Sequence, residues 1–155
     1  NPGTDVKVVP QRLEEEQLPA LLRGVDLVLD ATDNYPVRYA LNRACIAAAL
    51  PLVSAAAVRS EGQLSVFDPV RGGPCYRCLY PMEGSDTALR CSESGVLAPV
   101  VGVLGSLQAL EALKVLSGFG EPLLGKLLLL DLRSMDIRRL ALPPRDGCPD
   151  CAALR

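Results

Sequence analysis

The sequence predicts an α/β domain over residues 1–155, a mixed sheet with flanking helices held by a four-cysteine zinc site. Three observations carry that reading. Compact apolar runs alternate with segments of helical periodicity, the pattern of a sheet covered by helices. Four of the six cysteines form two Cys-x-x-Cys pairs, Cys75/Cys78 and Cys148/Cys151, and the chain has no histidine. Hydrophobic residues make up 49% of the chain while aromatics make up 4% and Trp is absent, so the core must be built of Leu, Val, Ala and Ile. A chain of 155 residues fits one domain and can bury such a core.

Taken in order, Val6-Lys7-Val8-Val9 reads as a short strand. Residues 13–23 carry Leu18, Leu21 and Leu22 at helical spacing and end at Gly24, a C-cap residue. The run 26–30, apolar between Asp26 and Asp30, has the form of a buried parallel strand. A long helix is expected from Tyr35 to Leu50, its stripe formed by Val37, Ala40, Leu41, Ala44, Cys45 and Ala48, with Pro51 as its stop. Residues 52–58 and 63–67 read as strands, and 68–90 as loop. The strongest helical pattern covers 98–118, with Pro99 near its start. Residues 126–132 and 137–142 are strands of a more antiparallel C-terminal portion, and the tail closes on the second cysteine pair.

The two cysteine pairs can close one tetrahedral sulfur site, and with no His to compete, Cys75, Cys78, Cys148 and Cys151 are the expected zinc ligands. Independent redox pairs or disulfides are the alternatives. The flanks, Pro74-Cys75-Tyr76-Arg77-Cys78 and Gly147-Cys148-Pro149-Asp150-Cys151, favour turn-bearing knuckles, and neither pair opens a helix after a strand. A metal there would tie the tail to the middle of the domain. A net charge of −2 with interspersed signs gives no nucleic-acid footprint and no polybasic membrane patch. Apolar runs such as 127–130 are too short to span a bilayer, and no signal peptide opens the chain, so a reducing cytoplasm is the expected compartment. Asn1-Pro2-Gly3 reads as an internal turn, which suggests part of a longer polypeptide.

Asp33 directly follows a strand, at the carboxyl edge where open α/β sheets place ligands, and with Asp30 it suits Mg²⁺ on a nucleotide's phosphates. Capping of the next helix by Asp33 or Asn34 is the plainer alternative. Gly102 and Gly105 lie inside a helical pattern and lack the remaining residues of a phosphate loop, so close packing is expected of them. Cys45 lies on an apolar stripe and reads as inert. Cys91, after a polar stretch and beside Arg90, has a setting that favours thiolate and is a candidate nucleophile on a mobile loop over 84–94.

Asp26-Leu-Val-Leu-Asp-Ala-Thr-Asp-Asn34, followed by Arg38 and Asn42, resembles the ATP-site segment of the ThiF/MoeB family, relatives of the ubiquitin-activating enzymes, and is most similar to its MoeB branch. Pro51-Leu-Val-Ser54, Glu61-Gly-Gln63, Pro74 to Cys78, Gly95 to Pro99, Gly102 to Ala109 and Gly147 to Cys151 match in order. The resemblance implies the later part of a Rossmann-like adenylation domain. It implies ATP- and Mg²⁺-dependent adenylation of the C-terminal Gly-Gly of a small ubiquitin-fold sulfur carrier, MoaD- or ThiS-like, for molybdopterin or thiamine biosynthesis. Asp33 would hold Mg²⁺, Asn34 and Arg38 would line the nucleotide pocket, and Cys91 matches a cysteine that some members link covalently to their carrier. A homodimer is implied, with the helix 98–118 as its apolar interface. The family's Gly-rich nucleotide loop and phosphate-reaching Lys lie upstream of residue 1, and no GxGxxG occurs here. A non-catalytic, zinc-stapled module that docks the carrier or mediates dimerisation is the alternative reading.

Overall fold

Residues 127–130, four consecutive leucines, show how the sheet divides the interior. Leu128 and Leu130 join Val53, Ala55, Leu64 and Val66 on one face, whereas Leu127 and Leu129 join Leu52 and Phe67 on the other, as the two-residue period of a strand requires. The computed structural model describes residues 1–81 and 94–154, and within them five strands form one sheet in the order β1-β2-β3-β4-β5. These are Val28–Asp30 (β1), Leu52–Val58 (β2), Glu61–Phe67 (β3), Lys126–Asp131 (β4) and Asp136–Ala141 (β5). β1 and β2 are parallel, with Asp30 beside Ser54, and the other pairs are antiparallel. The mixed sheet with an antiparallel C-terminal portion matches the sequence reading.

Helices cover both faces. Tyr35–Ala47 (α2) is the crossover between the parallel strands. It starts where the Asn34 side chain accepts a hydrogen bond from the Val37 N–H, with Pro36 in its first turn. It ends three residues before the expected Leu50. Ala98–Ser117 (α4) begins with Pro99 in its first turn and closes on Gly118 in the left-handed region, φ 69°. Its buried stripe of Val100, Leu104, Gln108, Glu111 and Ala112 lies on β2 and β3. Gly62 permits the approach, because a Cβ there would sit 2.5 Å from the Leu104 Cδ1 atom. Gly102 and Gly105 face open space, so the close packing expected of them is not found among the described residues.

By length and composition α4 is long and apolar enough to cross a bilayer, with mean hydropathy 1.5, contrary to the expectation from short apolar runs. Two of its polar residues are engaged with the sheet and with the segment that leads into β4. Gln108 donates to the carbonyls of Asp30 and Val53, and Glu111 accepts from the Leu123 N–H. One stripe of the helix is therefore fastened to the sheet, while Leu110, Leu113 and Leu116 remain exposed.

Three expectations are corrected. Residues 6–9 form no strand, and Val6 and Val8 are exposed, because no strand among the described residues pairs with them. Residues 13–23 hold only a 3-10 turn, Glu15–Gln17, and the four-residue helix Leu18–Leu21 (α1). Pro19 lies in the first turn of α1 and cannot donate a ladder bond back into the preceding turn, so a continuous helix is broken there. The run 26–30 yields only β1, and Leu29 is 49% exposed, since among the described strands β1 pairs with β2 alone and lies at the sheet edge.

Leu64 is 1% exposed at the centre of the α4-side cluster. Leu64→Ala is expected to lower unfolding free energy by about 2–5 kcal/mol in equilibrium denaturation, the range for a buried leucine that leaves a cavity.

Candidate metal centre and carboxyl-edge site

The first knuckle grows out of the turn after β3. Asp68 accepts from the Arg71 N–H and Gly72 turns the chain with φ 83°. Cys75 then precedes Tyr76–Leu79 (α3), a single helical turn where the sequence suggested loop. Cys75 is the N-cap residue of α3, but its side chain does not cap the helix. Asn42 on α2 does so instead: its Oδ1 accepts from the Tyr76 N–H at 2.8 Å. The second knuckle, after β5, brings Cys148 and Cys151 to the same place, 3.6 Å from Cys75 and Cys78 respectively.

All four Sγ atoms lie within 4.8 Å of one another, and Cys75 and Cys78 are 3.9 Å apart. Sulfurs at 3.6–3.9 Å are too far apart for disulfide bonds, which need about 2.05 Å. They match the edges of about 3.8 Å that a tetrahedron with metal–sulfur bonds of about 2.3 Å would have. Cys75, Cys148 and Cys151 are almost fully buried. Burial, then the neighbouring sulfurs, push the Cys75 thiol far up. Burial also raises Cys148, but the backbone N–H groups of Asp150 and Cys151, together with hydrogen bonds from the Cys75 and Cys151 thiols, outweigh it and bring that thiol down to about 7. A further N–H, from Arg145, points at the Cys78 sulfur at 3.3 Å. Clustered sulfurs, mostly buried and supplied with backbone N–H donors, form a site for a thiophilic cation.

Tyr76, between the two cysteines of the first knuckle, leads into a wedge of aromatic rings packed against the sheet. All four tyrosines of the chain and one of its two phenylalanines meet here. Tyr76 contacts Tyr39, Phe67 and Tyr80 at ring-centroid distances of 5.5, 5.7 and 5.2 Å. The Tyr39 hydroxyl donates to the Tyr80 carbonyl and the Tyr80 hydroxyl to Gln63. Asp150 accepts from the Asn42 amide at 2.9 Å and from Arg77 at 3.2 Å. Sequence reasoning gave no role to Asn42 or Asp150. Their legible signal was polarity: an Asn one turn beyond Arg38 beside the apolar helix stripe, and an Asp inside a cysteine knuckle.

At the other end of α2 the carboxyl edges of β1 and β2 hold a second polar group. Asp30 is fully buried. It accepts from the Thr32 N–H and hydroxyl at 2.9 and 2.7 Å and from the Ser54 hydroxyl at 2.7 Å. Arg38, 5% exposed, pairs with Asp30 at 3.7 Å and donates to the Thr32 carbonyl. Asn34, not Asp33, caps α2, and the Asn34 amide donates to the Asp33 carboxylate. Asp33 and Arg38 wall a pocket of about 160 Å³ whose floor includes Ala55, Ala56 and Ala57, with Gln108 behind. The structure thus brings Asp33 and Arg38 together and leaves Asn34 exposed beside them. Cys91, and most of the expected mobile loop over 84–94, lie outside the described residues.

The mixed sheet, the small pocket at the carboxyl edge of its parallel strands and the four-cysteine clasp together define a Rossmann-like α/β domain with a metal-binding cluster. The model of the ThiF family matches residues 1–150, and the chain belongs to that family. It is 48% identical over 151 residues to the molybdopterin-synthase adenylyltransferase of Escherichia coli K12, covering 97% of this chain and 60% of that protein. To the sulfur carrier protein ThiS adenylyltransferase of the same organism it is 45% identical, covering 97% of this chain and 59% of that one. The chain therefore spans about 60% of the length of these curated relatives. Among solved structures, E. coli MccB with MccA-N7isoASN shares the fold at TM-score 0.72 and 19% identity, over 94% of this chain and 45% of that one.

Purified protein should contain one metal ion per chain by elemental analysis, and Cys148→Ser should lose it with a fall in thermal midpoint. All four thiols titrating freely in the native state would overturn the metal centre. Cys45 behaves differently. Burial, helped by the Asp30 charge, pushes its thiol up to about 12 from 9.0. It should resist iodoacetamide at pH 8 until denaturant is added, checked by mass spectrometry. Because the folded form keeps this proton longer, Cys45 should lower stability only as pH rises from about 9 toward about 12.

Proposed function

We propose that this chain is part of an enzyme that uses ATP to adenylate the C-terminal Gly-Gly of a ubiquitin-fold sulfur carrier, MoaD- or ThiS-like, for molybdopterin or thiamine biosynthesis. The observation that carries the reading is Asp33. Released from capping by Asn34, it stands exposed at the carboxyl edge of a parallel strand pair, on the wall of a pocket floored by alanines. The chain's relatives by sequence are themselves named as adenylyltransferases.

A carboxylate is a poor electrophile until a phosphate ester becomes its leaving group. In the proposed reaction a carboxylate oxygen of the tail attacks the α-phosphorus of ATP, the bond to the β-phosphate oxygen breaks, and pyrophosphate departs. The residues of this chain align the reactants and handle charge. Asp33 would hold Mg²⁺, which would neutralise phosphate charge, and Asn34 would line the nucleotide pocket. Arg38, already committed to Asp30 and the Thr32 carbonyl, serves the pocket chiefly by fixing the turn that carries Asp33. Cys91 is a covalent way-station in the later transfer of sulfur. The metal of the cysteine clasp is zinc with a structural role, since four thiolates saturate a tetrahedral ion and leave no open position. The enzyme works in the cytoplasm, where thiols stay reduced. It forms a homodimer through the exposed Leu110, Leu113 and Leu116 of α4, with no nucleic-acid or membrane partner.

In a protein that contains the whole domain, carrier-dependent ATP–pyrophosphate exchange should fall about 100-fold or more in Asp33→Ala, the scale for removing one charge-stabilising group. Exchange at the unsubstituted rate would overturn the assignment of Asp33. Cys91→Ser should leave exchange intact while slowing carrier thiocarboxylate formation. An equal rate of thiocarboxylate formation makes Cys91 a bystander.

A further inference from the structure

Asn42 is 1% exposed on α2, a helix that supplies no sulfur to the metal centre, yet it bonds to both knuckles. Its Oδ1 accepts the N–H that opens α3, and its Nδ2 donates to Asp150, between Cys148 and Cys151. The two contacts link segments 73 positions apart in sequence. They fill a gap that the cysteines create: a thiol committed to a metal cannot also cap its own helix, and Cys75 does not. A buried amide with one acceptor and one donor placed this way has a fixed orientation.

We propose that Asn42 is a positioning residue for the metal centre, holding the two Cys-x-x-Cys knuckles at the separation a single ion requires and joining them to α2. The inference stands on the cysteine cluster and is independent of the adenylation reading. Ligands held by an outer shell release their ion more slowly than ligands free to swing apart. Arg38 lies one helical turn before Asn42, so the same helix runs from the clasp to the carboxyl edge.

The test is a charge exchange. Asn42→Asp keeps the acceptor for the Tyr76 N–H but sets a carboxylate against Asp150. Adding Asp150→Asn restores a donor–acceptor pair with its direction reversed, and the oxygen of the introduced amide can still accept from Arg77. Zinc release to a colorimetric chelator, followed in the zinc-loaded chain, should be about tenfold faster in N42D, the lower end of the range for lost outer-shell contacts. It should return toward the unsubstituted rate in N42D/D150N. Since the chain has no Trp and Tyr76, whose N–H makes this contact, packs against Tyr39 and Tyr80, near-UV circular dichroism should weaken in N42D and recover in the exchange variant. Far-UV signal should hold throughout. If N42D is too unstable to load, the exchange variant is compared with N42A, and it must release zinc more slowly. Unchanged release in N42D, or an exchange variant no slower than the single one, would overturn the proposal. Failure of the unsubstituted protein to bind zinc would remove the metal centre itself and leave adenylation to be judged separately.

Discussion

The convergence of four sulfurs is the constraint on which the rest of the structure depends. Cys75 and Cys148 are 73 positions apart, and closing such a loop costs chain entropy that a few knuckle residues cannot recover alone. A bound cation would change the balance, because thiolates that repel one another would become its ligands. Once closed, the clasp fixes where β5 leaves the sheet, where α3 sits, and how the tail returns across α2. The aromatic wedge then fills the space between clasp and sheet, so nearly all aromatic area in an aromatic-poor chain is spent at one place.

A second constraint sits at the far end of α2. Asp30 and Arg38 are both buried, and a buried ion pair recovers its desolvation cost only when its remaining hydrogen bonds are made. Here Thr32 and Ser54 complete the carboxylate, and the Thr32 carbonyl takes a guanidinium N–H. The turn between β1 and α2 is held by this group, and that turn carries Asp33 to the pocket. The polar cluster therefore shapes the edge of the sheet more than it stabilises the core. Gln108, reaching across from α4 to the carbonyls of Asp30 and Val53, ties the opposite layer to the same edge.

Much of this was legible from residue order. The four clustered cysteines, the mixed sheet, α2 with its start at Tyr35, and α4 with Pro99 near its start all follow from local chemistry. Spacing, capping and periodicity act over a few residues, and nothing tertiary opposed them at these positions. The same local logic failed for residues 6–9 and 13–23. A strand needs a partner to satisfy its backbone, and Val6 and Val8 find none among the described residues. A helix needs an unbroken ladder, which Pro19 interrupts.

By itself the sequence determined which sulfurs had to converge, which runs had to alternate across a sheet, and which acid would stand at a strand's carboxyl end. Only the tertiary structure decided that Asn42 spans both knuckles, that every tyrosine gathers in one wedge, and that Arg38 turns inward to Asp30. Those contacts join residues far apart in the chain, and their geometry depends on how helices sit on the sheet. No spacing rule records that distance, because it is set by packing and not by the order of residues.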